Sequence, residues 1–171
     1  MNRNEINDIV KQAVRKYRTS DPFMLAAAMD IDVDCADLGG LKVFYIVYNG
    51  DRYIVVNKYL EEHMARLVVA HEIGHDCLHR DLAERGGLRE SGFFDMASKP
   101  EKEANIFAAN LLISDSDMLE LGEEGYTIEE IAKKLEVHYQ VALIKAADMN
   151  SRGYNANVPF VPDSGFLGTN F

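Results

Sequence analysis

Residues 68–79, VVAHEIGHDCLH, place three histidines at four-residue intervals behind an apolar run. Leu67, Val68, Val69 and Ala70 lead into them and predict a buried helix, a rigid element able to fix ligands. On such a helix His71 and His75 lie about 40° apart around the axis and about 6 Å apart along it, so both imidazoles can reach one cation. Zinc accepts imidazole nitrogens in a tetrahedral site that keeps one position for water. Glu72 follows His71 directly, where an HExxH motif carries the general base. His79 continues the same face, but ligands at i, i+4 and i+8 span about 12 Å, too far for bonds of about 2 Å to a single ion. It reads as a packing or supporting residue. Cys77 points off the His71/His75 face and reads as core.

A zinc enzyme takes three protein ligands. The segment PEKEANIFAANLLI, residues 100–113, predicts another helix and offers Glu101 and Glu103. Glu103 shares a stripe with Ile106, Phe107, Asn110 and Leu111, spaced i, i+3, i+4, i+7 and i+8. That stripe is mostly apolar and is expected to face the core, where a carboxylate must be paired or bind a metal. Glu101 lies on another face, nearer Asn105 and Ala108, and reads as a first-turn acid favoured by the helix dipole. The expected ligand set is therefore His71, His75 and Glu103, with Glu72 as catalytic base.

Outward from these motifs the chain alternates between two periods. Ile6, Ile9, Val10, Ala13, Val14 and Tyr17 mark an amphipathic helix over 4–18. Ser20-Asp21-Pro22 starts a short apolar second helix. LKVFYIVYNGDRYIVVN, residues 41–57, is a hairpin signal, two Val/Ile/Tyr runs around Asn49-Gly50. IDVDCADL before it reads as an edge strand. A helix is expected over 58–79, a loop over 81–99, and a short helix capped from the Ser114–Asp117 run. YTIEEIAKKLEVHYQVALIKAADM, residues 126–149, reads as two helices joined by a tight turn, with Thr127 and Glu130 as a capping box.

Composition narrows the classes. At 171 residues, 47% of them hydrophobic, the chain can bury a core without staples. The net charge of −10 argues against a non-specific nucleic-acid binder. Cys35 and Cys77 form no CxxC, which fits a reduced, cytoplasmic chain. The N-terminus shows no secretory h-region, and no uncharged run approaches the ~18 residues of a membrane span.

HEIGHDCLH together with EANIFAANLLI at 103–113 resembles the ImmA/IrrE-type metallopeptidases, a family of phages, mobile elements and bacterial regulatory gene pairs. The resemblance spans residues 18–115 and takes in DPFMLAAAMDIDV, the hairpin and VNKYLEEHMARLVVAHEIGH. It implies an α+β fold: a mainly helical zincin-like domain of the gluzincin type, with a small antiparallel β-sheet and a C-terminal helical hairpin. Carried over by position, the Zn2+ ligands are His71, His75 and Glu103, and the base is Glu72. The implied activity is that of a zinc metalloendopeptidase, and the implied partner is a helix-turn-helix repressor encoded nearby, cleaved to relieve repression. Many members read LLMP where this chain has Leu111-Leu112-Ile113-Ser114, a change at a helix end that touches no ligand. The expected organisation is a metallopeptidase core over 1–115, a helix-turn-helix-like hairpin packed on it over 116–150, and an irregular tail over 151–171.

Two other readings compete. The hairpin resembles a DNA-binding helix-turn-helix, but residues 118–148 carry seven acids and three bases, a poor match to a phosphate backbone. A non-catalytic zinc-containing regulatory module would keep the fold, yet a purely structural site has no need of Glu72. In a latent enzyme the 81–99 loop or the tail would cover the site.

Overall fold

The computed structural model describes residues 1–86, 89–90 and 98–155. Helix α1 (Arg3–Tyr17) starts from a reciprocal cap: Asn2 Oδ1 accepts from the Glu5 N–H at 2.9 Å, and Glu5 Oε2 accepts from the Asn2 N–H at 2.8 Å. Asp21 caps α2 (Pro22–Ala28), which has proline in its first turn. Strands β1 (Ile31–Ala36), β2 (Val43–Tyr48) and β3 (Asp51–Asn57) follow. Asn49 and Gly50 both adopt positive φ, at 52° and 91°, as a two-residue hairpin turn of the primed type requires.

The sheet order is β1-β3-β2-β4, where β4 (Arg89–Glu90) pairs with β2 at Phe44 and Tyr45. β1 is an edge strand as expected, but it runs parallel to β3, Ile31 opposite Arg52 through Ala36 opposite Asn57. The sheet is therefore mixed rather than purely antiparallel. β2 turns straight back into β3, so β3 takes the place beside β1. Val43 and Tyr45 on β2 oppose Val56 and Ile54 on β3, and these four side chains are buried on one face.

The helical side is built on α3 (Glu62–Gly86) and α4 (Lys99–Leu112). α3 runs beyond the expected end at residue 79, through a kink at His79 (φ −139°, ψ 29°), into the stretch read as a loop. Residues 87–88 and 91–97 of that stretch, and 156–171 of the expected tail, lie outside the described residues. α5 (Asp115–Glu123) is capped by Ser114, α6 (Ile128–Lys134) by the expected Thr127–Glu130 box, and α7 (Tyr139–Ser151) by His138. No described helix is long and apolar enough to cross a membrane.

One close approach sets how α3 and α4 meet. A Cβ built on Gly74 would lie 3.1 Å from Phe107 Cβ, 3.2 Å from Ala104 Cα and 3.2 Å from the Ala104 carbonyl oxygen. Two of those three atoms are α4 backbone, and α4 also packs against α1 and α7, so it cannot easily retreat. Gly74→Ala is expected to lower stability by about 1–3 kcal/mol through overpacking, outweighing the ~0.5–1 kcal/mol that alanine adds to helix propensity. Urea unfolding at neutral pH measures it; an unchanged or raised midpoint refutes the close-contact argument.

A second tie runs through charge. Asp115 accepts a forked pair from Arg152, at 2.9 and 2.7 Å, and a bond from the buried Lys145 at 2.6 Å. Lys145 also donates to Asn110 of α4 at 2.7 Å, and Asn110 donates to Asp148 at 3.1 Å. The Arg152 hydrogen bonds, acting against burial and with help from Lys145, hold the Asp115 carboxyl well below its ordinary 3.8. A depressed folded-state pKa contributes stability in full above the unfolded value and loses it as pH falls towards the folded one. Asp115→Asn is therefore expected to cost about 2 kcal/mol at pH 7, with the gap from wild type narrowing below about pH 4. Denaturant unfolding at pH 7 and pH 3 reads the difference; a gap that widens in acid contradicts it.

Candidate metal centre

α3 presents His71 and His75 from its buried middle, 5% and 4% exposed. Their Nε2 atoms stand 3.1 Å apart, the rings edge to face with centroids at 4.7 Å. α4 closes the group with Glu101, whose Oε2 is 3.1 Å from His71 Nε2 and whose Oε1 is 3.2 Å from His75 Nε2. Each of these separations is close to the roughly 3.3 Å between donors on one ion with bonds of about 2.0–2.1 Å, and one ligand atom from each residue lies within 4.8 Å of the others. Glu101 is 1% exposed, and each of its two oxygens faces an imidazole nitrogen inside the buried group. A buried carboxylate facing two imidazole nitrogens suits a divalent cation of the zinc type.

The surroundings tune the donors. Asn105, four residues after Glu101, has Oδ1 at 2.9 Å from His71 Nδ1. An Nδ1–H donated to that oxygen leaves the Nε2 lone pair facing the site. Burial pulls the His71 pKa down, but the Glu101 hydrogen bond and the charges of Glu72 and Glu101 outweigh it and leave it raised. For His75 burial wins, with His71 and His79 adding to it against Glu101, and the pKa falls to about 4. Burial raises Glu101, yet the bonds from His71 and His75 bring it down to about 2. The triad thus holds an ionised carboxylate against two unlike imidazoles. Glu72 is 2% exposed and close enough for its charge to act on His71.

The expected third partner was Glu103, and the structure does not bring it to the histidines. Its carboxylate lies 3.3 Å from His79 Nε2, 3.7 Å from Lys99 Nζ and 2.5 Å from the Met1 amine. The apolar-stripe argument failed because α4 has no exposed face to contrast with: Glu101 and every residue from Glu103 to Leu111 are buried. The face that meets α3 carries Glu101, Ala104 and Asn105, spaced i, i+3 and i+4. The signal for it was the small Ala104 opposite the glycine of HEIGH, not hydrophobicity.

Other polar residues have separate duties. Asp76, beside His75, was not singled out by sequence. It accepts from the Tyr45 hydroxyl at 2.7 Å, from Arg52 at 2.8 Å and from Arg80 at 2.8 Å, which ties α3 to the sheet. Cys77 packs against the core, and burial pushes its thiol up to about 12. His138 accepts from the Gln140 N–H as the cap of α7, and His63 faces Glu61 at 3.4 Å.

Residues 26–146 match the IrrE N-terminal-like domain, a peptidase family. The chain belongs to that family. The matched residues run from α2 into α7 and include His71, Glu72, His75 and Glu101. The chain is also 32% identical over 141 residues to the uncharacterized immunity region protein 2 of Bacillus phage phi105, covering 82% of this chain and 88% of that protein.

The geometry separates the two glutamates by metal content. After dialysis against zinc and then buffer, Glu101→Gln is expected to lose the ion while Glu103→Gln retains more of it. Elemental analysis decides, and the reverse pattern would restore Glu103 as the ligand.

Proposed function

We propose that the protein is a zinc-dependent endopeptidase that cleaves a helix-turn-helix repressor in the cytoplasm and so relieves repression. The observation that carries the reading is the convergence of His71 Nε2, His75 Nε2 and the Glu101 carboxylate, with Glu72 one residue from the first histidine. Three protein donors leave a fourth position for water or substrate, as in catalytic rather than structural zinc sites. Membership of a peptidase family supports the hydrolytic reading. The phage relative, named for an immunity region, supports a substrate among regulators.

In this reading His71, His75 and Glu101 hold the ion, which when bound makes water acidic enough to ionise near neutral pH and polarises a carbonyl. Glu72 takes the proton from the attacking water on a carboxylate oxygen and returns it to the leaving amine. Its low exposure keeps bulk water from competing for that proton. Asn105 holds the His71 ring in the tautomer that faces the ion. Asp76, gripped by Tyr45, Arg52 and Arg80, fixes α3 against the sheet beneath the site.

Co-expression with the product of the adjacent regulatory gene tests the proposal. Wild type is expected to yield repressor fragments, and Glu72→Gln to retain zinc while cleaving about 10²–10⁴-fold more slowly. Equal cleavage by both would remove Glu72 from the mechanism. Intact repressor with zinc-loaded wild type under inducing conditions would remove that substrate.

A further inference from the structure

The sequence reads His79 as a packing or supporting residue and Glu103 as a metal ligand. In the structure the two meet. His79 interrupts the regular course of α3, and its imidazole reaches α4 instead of continuing up the helix face. The ring lies beside the Pro100 backbone, and its Nε2 stands 3.3 Å from Glu103 Oε2. Pro100 and Glu103 bracket Glu101 within one turn of α4. The Glu103 carboxylate is also neutralised by Lys99 and the Met1 amine, and its side chain is 8% exposed. The N-cap of α4, Ser98, makes no side-chain capping hydrogen bond, so contacts from neighbouring elements bear on its first turn.

We propose that His79 and Glu103 form a positioning clasp, clamping the first turn of α4 on the end of α3 so that Glu101 is held against His71 and His75. The clasp rests on the metal-centre reading above. Neither residue touches the ion; each acts through Glu101. A carboxylate on an unanchored first turn would have to be ordered by the cation itself, and binding would weaken accordingly. Partners of this kind change metal affinity about 10–100-fold when removed.

The test uses zinc and cobalt as probes on the full chain. Competition with a chromophoric chelator measures zinc affinity for wild type, Glu101→Gln, His79→Gln, Glu103→Gln and the double variant, with thermal unfolding of each metal-free protein as the folding control. His79→Gln and Glu103→Gln are each expected to bind zinc about 10-fold or more weakly. The double variant is expected to be no worse than the weaker single one, the mark of a shared interaction. The visible bands of bound Co2+, which report coordination number, are expected to weaken in the clasp variants even at saturation. A change of thermal midpoint alone would leave those bands intact. Clasp variants that match wild type in affinity and cobalt spectrum overturn the clasp while Glu101→Gln still loses the ion. A wild type that binds no zinc, or Glu101→Gln binding as wild type does, overturns the metal reading and the clasp together.

Discussion

The backbone contact between α3 and α4 is the constraint on which the rest depends. Gly74 sits within the histidine motif, and Ala104 sits between Glu101 and Asn105. The absence of a side chain on one helix and a single methyl on the other let the backbones meet closely. That approach brings a carboxylate from α4 to within 3.2 Å of two imidazoles on α3. A bulkier pair would hold the helices at an ordinary packing distance and leave the donors too far apart for one ion.

Once that crossing is set, the neighbouring polar groups fall into layers. Glu101 meets both histidines, Asn105 orients His71, and the His79–Glu103 pair lies at the rim, where α4 begins. On the other side of α3, Asp76 gathers Tyr45, Arg52 and Arg80 and joins the helix to the sheet. Farther along α4, Asn110 links to Lys145 and Asp148, and through Lys145 to Asp115, so α7 and α5 brace the same helix from behind. Each cluster pairs buried charge with opposite charge or an amide, the condition for keeping ionised groups inside a protein. The support of the site is therefore distributed over α3, α4, α5, α7 and the sheet.

Much of the local structure was legible because its causes are local. The α1 amphipathic pattern, the Asn49-Gly50 turn, the Thr127–Glu130 box and the Ser114 cap each depend on residues within a few positions of one another. The histidine pair was legible for the same reason, since spacing on one helix places both rings on one face. Strand partners were less so: β1 was read as an edge strand, but its parallel register with β3 depends on where the returning hairpin lies. The extension of α3 beyond His79 also escaped, because Gly, Ser and charged residues after it resemble a loop and nothing local reveals the kink.

By itself, the sequence determined most of the elements, several of their caps, and a buried helix carrying His71, Glu72 and His75, because periodicity and short-range hydrogen bonds act within a single segment. Only the tertiary structure decided which glutamate completes the group. Glu101 and Glu103 lie two residues apart on a helix that is buried on nearly every side, so hydrophobicity could not tell which of them turns inward to α3. The rotation of α4 about its own axis decided it, and that rotation follows from the fit of Ala104 and Phe107 against Gly74.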